Sequence, residues 1–146
     1  MKLAALLLLL VPTDTHADVF AQVGTTGSVQ SLTVGATREW DWRRESRYTL
    51  TGYNEVSIGT WGLNHIQVGI KPTLRASAGQ WFIEAGIGAN LIVPKYERFS
   101  TAFQFGDHVG IGYGPVMLRF EHFSNGSIKR PNPGENFLQL RYSTRL

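Results

Sequence analysis

The sequence predicts an all-β protein, an eight-stranded antiparallel transmembrane β-barrel of the outer-membrane type. Hydrophobicity repeats with period two along most of the chain, as it does in strands, and eight such segments follow one another. Most of them reach the ~9 to 11 residues that a transmembrane strand needs. After the first 17 residues no stretch is apolar enough to form a transmembrane helix.

The predicted strands are separated by turns rich in glycine, proline and asparagine. In chain order they span residues 18–25, 29–38, 47–60, 64–75, 81–93, 102–113, 116–125 and 136–146. Each has one apolar and one polar face. In the seventh strand Val116, Leu118 and Phe120 alternate with Arg119 and Glu121, and the fifth and eighth strands divide in the same way.

Two kinds of barrel share this alternation. A soluble lipocalin-like barrel turns its apolar face inward, whereas a membrane barrel turns it outward and keeps a polar interior. The strand lengths favour the membrane barrel, as do the small and charged residues opposite the apolar faces. We therefore expect Glu84, Arg119, Glu121 and Arg141 to pair inside a narrow barrel.

Two features fit this pattern less well. Asp107 interrupts an otherwise apolar face of the sixth strand. Residues 38–47, with Trp40, Trp42 and mixed charges, form a long connection on the side of a barrel that usually carries short turns. We expect a connection there that could hold a short interfacial helix.

The N-terminal segment, the cysteine count and the net charge narrow the class of protein further. Residues 1–17, with Lys2, an apolar run and a final Ala17, predict an export signal, which leaves residues 18–146 as one barrel domain. The chain has no cysteine, and its net charge of +3 is scattered rather than gathered on one face. These properties exclude a disulfide framework and disfavour nucleic-acid binding.

The stretch HFSN, residues 122–125, carries the candidate chemistry. His122 and Ser124 are two residues apart on one strand, so both side chains point to the same face. A serine needs an adjacent base to become nucleophilic, and His122 is placed to be that base. By strand parity both lie on the apolar face, where polar groups are costly unless they have a function or a partner. With periplasmic termini they would lie near the outer leaflet, and the substrate would be a membrane lipid.

A third group should orient His122 through its other ring nitrogen. Asn136 has the parity to share the outer face with His122, whereas Glu135 would point inward but offers a carboxylate. Both remain candidates at this stage. Asn125, the Gly126 amide and Asn132 could donate hydrogen bonds to an oxyanion, and no metal or cofactor is required.

At these residues the chain resembles the PagL-type lipid A 3-O-deacylases of Gram-negative outer membranes. The similarity rests on HFSN, the following PNPG turn and the closing strand, and extends to LTGY at Leu50, FIEAGIG at Phe82 and FGDHVGIG at Phe105. The resemblance implies hydrolysis of the ester-linked acyl chain at the 3-position of lipid A. It carries the family's catalytic pair onto His122 and Ser124, and aligns its acidic third member on Asn136.

The expected partners are therefore lipid A or lipopolysaccharide as substrate and the outer-membrane bilayer as surroundings, with a homodimer left open. Two rival interpretations remain. One is a non-enzymatic outer-membrane barrel with a structural or surface-interaction role. The other is a soluble periplasmic lipocalin-like binding protein.

Overall fold

The computed structural model describes residues 17–145, and almost all of them belong to strands or tight turns. The eight strands are β1 (Ala17–Thr25), β2 (Gln30–Glu45), β3 (Thr49–Trp61), β4 (His65–Ala78), β5 (Trp81–Val93), β6 (Phe103–Tyr113), β7 (Val116–Ser124) and β8 (Glu135–Arg145). The eight predicted strands are thus confirmed, and seven have bounds within three residues of the prediction. The predicted export signal lies, apart from Ala17, outside the described residues and stays a prediction.

The strands form one closed barrel in chain order, and every neighbouring pair is antiparallel. Closure joins the first strand to the last, from Asp18 opposite Arg145 to Thr25 opposite Leu138. Turns 26–29 and 62–64 lie at one end of the barrel with loops 94–102 and 125–134. We call this the loop end, because the connections at the opposite end are short. No helix within residues 17–145 is long and apolar enough to cross a membrane.

The barrel has its apolar residues outside and its polar residues inside. Exposed leucine, isoleucine, valine and aromatic side chains cover the outer wall, among them Ile83, Ile87, Leu118 and Leu140. Lys71, Glu121 and other charged side chains are buried in the interior. This is the sense expected of a membrane barrel and the opposite of that in a lipocalin, so the apolar faces need a bilayer rather than water around them.

A network of buried charges fills the middle of the barrel. The Glu55 carboxylate accepts hydrogen bonds from Arg119 at 2.9 and 3.2 Å and from Arg141 at 2.5 Å. Arg119 also donates to Glu84 at 3.0 Å, while Lys71 pairs with Glu121. Buried charges are tolerated when they are paired in this way, so the middle of the barrel holds a packed polar core.

An aromatic cluster closes the interior at the loop end. The Trp61 ring contacts Tyr96, Phe99, Phe123 and Phe137 at centroid distances between 4.7 and 5.7 Å. Three of these contacts are edge-to-face and the one with Phe137 is tilted, and such contacts add to the stability that burial of the rings provides. The cluster joins loop 94–102 to β7 and β8 at the loop end of the barrel.

The interpretation of residues 38–47 as a connection with a short interfacial helix is wrong. β2 continues through this segment to Glu45, and its pairing with β3 shifts between Glu39 and Arg43. The chain advances four residues along β2, from Glu39 to Arg43, while β3 advances only two, from Tyr53 to Thr51. This mismatch is a β-bulge. The Trp40 ring lies directly over Gly52, where any side chain would collide with it. The bulge therefore absorbs the residues that broke the period-two pattern.

Candidate active site

The HFSN stretch ends β7 at the loop end of the barrel. Along this strand Met117, Arg119, Glu121 and Phe123 are buried, and the residues between them are turned outward. His122 and Ser124 therefore lie on the outer face, as their spacing predicted. The buried Phe123 between them belongs to the aromatic cluster, so this part of the wall is held from inside.

His122 is hydrogen-bonded to Asn136 on the neighbouring strand. The two residues are directly opposite in the β7–β8 register, and 2.7 Å separates Nδ1 of His122 from Oδ1 of Asn136. An amide oxygen can only accept a hydrogen bond, so Nδ1 carries the proton and donates it. The Nε2 atom is then left as the acceptor, which is the tautomer that a general base needs.

Glu135, the other sequence candidate for the third position, is not brought to His122. Its carboxylate is largely buried on the inner side of β8, and its Oε2 accepts a hydrogen bond from Nη1 of Arg98 at 2.9 Å. Arg98 belongs to loop 94–102. The parity of β8 thus holds to its first residue, and Glu135 ties this loop to the strand that carries Asn136.

The same loop contributes a buried phenol, Tyr96, to the aromatic cluster. Tyr96 packs edge-to-face against Trp61 at 5.6 Å. Burial raises the pKa of Tyr96, and the negative charge of Glu135 acts in the same direction. The raised pKa keeps the hydroxyl protonated at physiological pH.

The turn after Ser124 is held by Asn125, whose side chain is buried. Its Nδ2 donates to Oγ of Ser100 at 2.8 Å and to the Lys129 carbonyl at 2.7 Å. Its backbone N–H donates to Oδ1 of Asn132 at 3.0 Å. Both donors of Asn125 proposed for an oxyanion are thus engaged within the turn, so Asn125 shapes the site instead of facing it.

The Gly126 amide and the Asn132 side chain are better placed among the sequence candidates. Within residues 17–145 neither the N–H of Gly126 nor Nδ2 of Asn132 has a hydrogen-bond partner. Gly126 lies on the outer face, where a methyl group on it would be 3.1 Å from the ring of Phe105. Phe105 is the register partner of Ser124, so Gly126 and Ser124 lie on the same part of the outer wall.

Gly134 is a site residue that the sequence did not reveal. In the sequence it is only the last residue of a turn motif. In the structure its backbone lies against the His122 ring: a methyl group on Gly134 would be 2.6 Å from Cε1 and 3.2 Å from Nε2. Its φ of +69° also favours glycine. The missing side chain leaves the space that the Cε1 and Nε2 edge of the His122 ring occupies.

We expect Gly134→Ala to lower the rate of Ser124 acylation by about 100-fold, because even a displacement near 1 Å of a catalytic group is that costly. The rate can be followed with a serine-directed fluorophosphonate. Gly62→Ala is the matched control, because Gly62 lies at the same end with φ +56° and has nothing within 4 Å of an added methyl group. Equal reactivity of the two variants would show that contact with His122 is unimportant.

Comparison with known proteins identifies the family. The sequence profile of the family described as "Lipid A 3-O-deacylase (PagL)" matches residues 27–145. The chain belongs to the PagL family. Two relatives carry the name lipid A deacylase PagL. The protein from Bordetella bronchiseptica is 42% identical over 53% of this chain and 48% of its own length. The protein from Pseudomonas aeruginosa is 30% identical over 96% of this chain and 92% of its own length.

Solved structures agree with this family. The crystal structure of the outer membrane enzyme PagL superposes with a TM-score of 0.79 at 27% identity, covering 88% of this chain and 99% of that one. A de novo designed transmembrane β-barrel superposes with a TM-score of 0.58 at 12% identity, covering 91% and 98%, and shows the fold alone. The predicted transmembrane barrel of outer-membrane type is confirmed.

Proposed function

We propose that this protein is a serine esterase that hydrolyses the ester-linked 3-hydroxyacyl chain at the 3-position of lipid A in lipopolysaccharide. The observation that supports it most directly is the hydrogen bond between His122 and Asn136 in a PagL-family barrel. His122 is two residues from Ser124 on the same strand. This bond orients a neutral imidazole on the strand face that also carries the Ser124 hydroxyl. A passive barrel would have no need for this arrangement on its apolar wall.

The reaction begins with proton transfer from Ser124 to Nε2 of His122. The Ser124 oxygen attacks the acyl carbonyl, and the negative charge that forms on its oxygen is met by the N–H of Gly126 and the amide of Asn132. When the intermediate collapses, the bond between the acyl carbon and the sugar oxygen breaks, and His122 gives its proton to that sugar oxygen. Water, activated by His122, then hydrolyses the acyl-enzyme and releases the 3-hydroxy fatty acid.

Asn136 acts in this scheme by holding the imidazole. Its oxygen accepts from Nδ1, so the free lone pair of the neutral ring is on Nε2. Glu135 pairs with the exposed Arg98 of loop 94–102, so it supports the strand that carries Asn136. We therefore assign the third position to Asn136.

The location of the site suits a lipid substrate. Ser124 and His122 lie at the loop end of an apolar outer wall, which would place them at the outer-leaflet side of the outer membrane if the termini are periplasmic. A lipid in that leaflet can approach Ser124 sideways without leaving the bilayer. The exposed Lys129 and Arg130 in the adjoining loop could meet its phosphate groups.

Two measurements on the detergent-purified protein test the proposal. Lipopolysaccharide is incubated with the protein, and free 3-hydroxy fatty acid and the shortened lipid A are measured by mass spectrometry. A fluorophosphonate probe is applied in parallel, and the labelled peptide is sequenced. We expect release of one 3-hydroxy fatty acid and labelling at Ser124. An intact barrel that releases no fatty acid and is not labelled would instead be a structural or surface-interaction protein.

A further inference from the structure

Asp107 stands directly beside the candidate active site on the outer wall. It is the register partner of His122 in the β6–β7 pair, and His122 is in turn the partner of Asn136 in the β7–β8 pair. The three residues therefore form one row across three adjacent strands. All three belong to the outward-facing set, and His122 lies in the middle.

The surroundings of Asp107 make its charge unusual. Its outward neighbours on β6 are Phe105 and Val109, and its partner on β5 is the exposed Ile87. Within residues 17–145 its carboxylate has no hydrogen bond and no ion pair. A carboxylate on the apolar wall of a membrane barrel is costly unless it has a function. The packing of the barrel provides no such function.

The chemistry of His122 offers a function for the Asp107 carboxylate. When His122 takes the proton of Ser124 it becomes an imidazolium ion, and a nearby negative charge would stabilise it. Asn136 is neutral and can orient the ring but cannot balance this charge. The carboxylates of Glu121 and Glu135 face the barrel interior and are paired with Lys71 and Arg98.

Asp107 is within reach of the ring. Residues directly opposite each other in an antiparallel pair have Cβ atoms about 4.5–5.5 Å apart. The carboxylate can therefore lie alongside the imidazole, on the side away from Asn136. The other charged groups near this face are Lys129 and Arg130, which are exposed in loop 125–134.

We propose that Asp107 supplies the negative charge that this site lacks at position 136. Orientation of His122 and charge stabilisation of its protonated form would thus be divided between two strands, with Asn136 on β8 and Asp107 on β6. Asp107 is a positioning residue that acts through His122 and does not touch the substrate. The inference rests on the proposed function, because it assumes that His122 is the base for Ser124.

Four chains test the proposal: the parent, Asp107→Asn, Asn136→Glu and the double variant. We measure the rate of Ser124 labelling by a fluorophosphonate, and kcat and KM for 3-hydroxy fatty acid release from lipid A in micelles. In the parent background Asp107→Asn should lower kcat and the labelling rate about 100-fold, with KM changed by less than about threefold. Asn136→Glu brings its own carboxylate, so Asp107→Asn should cost less than about threefold in that background.

The outcomes separate charge from structure. An equal loss in both backgrounds would mean that Asp107 supports the wall and not the imidazolium, and an undiminished rate of Asp107→Asn in the parent would also overturn the proposal. Asp107→Glu, which keeps the charge, should retain about a third of the rate or more, and decides the question if Asn136→Glu does not fold. Labelling of Ser124 without any release from lipid A would refute the proposed substrate, while the labelling rates still test Asp107.

Discussion

Ser124→Ala and His122→Ala should each lower the rate of 3-hydroxy fatty acid release by at least about 10⁴-fold. Without the Ser124 hydroxyl no acyl-enzyme forms, and without His122 nothing accepts the proton of Ser124 in the apolar wall. Because the two side chains act as one unit, the double variant should be little worse than either single variant. The rates are measured by mass spectrometry on lipopolysaccharide in detergent.

Two matched controls at the loop end distinguish chemistry from damage to the barrel. Ser28 lies in the exposed turn 26–29, and His65 is bonded through Nδ1 to the Pro94 carbonyl at 2.9 Å. We expect Ser28→Ala and His65→Ala to keep the parent rate within about threefold. If a folded Ser124→Ala or His122→Ala variant retained a tenth of the parent rate, the assignment of nucleophile and base would be wrong.

Glu55→Ala should lower the free energy of unfolding by about 3–5 kcal/mol, because it leaves buried cations without their partner. Glu55 accepts hydrogen bonds from both Arg119 and Arg141, and all three side chains are almost completely buried. Arg119 would keep Glu84, but Arg141 would lose its only carboxylate among the described residues. Urea unfolding in micelles, followed by tryptophan fluorescence, measures the loss.

The matched control for this prediction is Glu45→Ala. Glu45 pairs with Arg43 at 2.7 Å, but the two side chains are 67% and 54% exposed. Exposed pairs of this kind contribute between about 0 and 1 kcal/mol, so the variant should unfold almost like the parent. Similar losses for Glu55→Ala and Glu45→Ala would contradict the view that the interior network carries stability.

The sequence predicted the strands well because strand parity is a local property. Alternation along β7 is enough to place His122 and Ser124 on one face, and alternation along β8 to separate Asn136 from Glu135. The same rule failed at residues 38–47, where a bulge adds residues to β2. A bulge depends on the partner strand, here on Gly52 beneath the Trp40 ring. Its position therefore cannot be predicted from the hydrophobic period of one strand.

The interior ion pairs were predicted as a set but not as partners. Arg119 does pair with Glu84, whereas Glu121 pairs with Lys71 and Arg141 with Glu55. Each of these contacts joins residues on strands that are far apart in the chain. The pairing of these charges depends on the strand register and on how far each side chain extends across the barrel. Neither can be predicted from the sequence of a single strand.

By itself, then, the sequence determined the barrel, the outward position of His122 and Ser124 and the resemblance to the PagL family, because these follow from alternation and short motifs. Only the tertiary structure decided that Asn136 bonds to His122, that Asn125 is engaged in its turn, that the Gly134 backbone lies against the imidazole, and that Asp107 is opposite His122 in the β6–β7 register. These contacts are set by strand register and by the path of the loop. Both arise when residues distant in the chain are brought together by closure of the barrel.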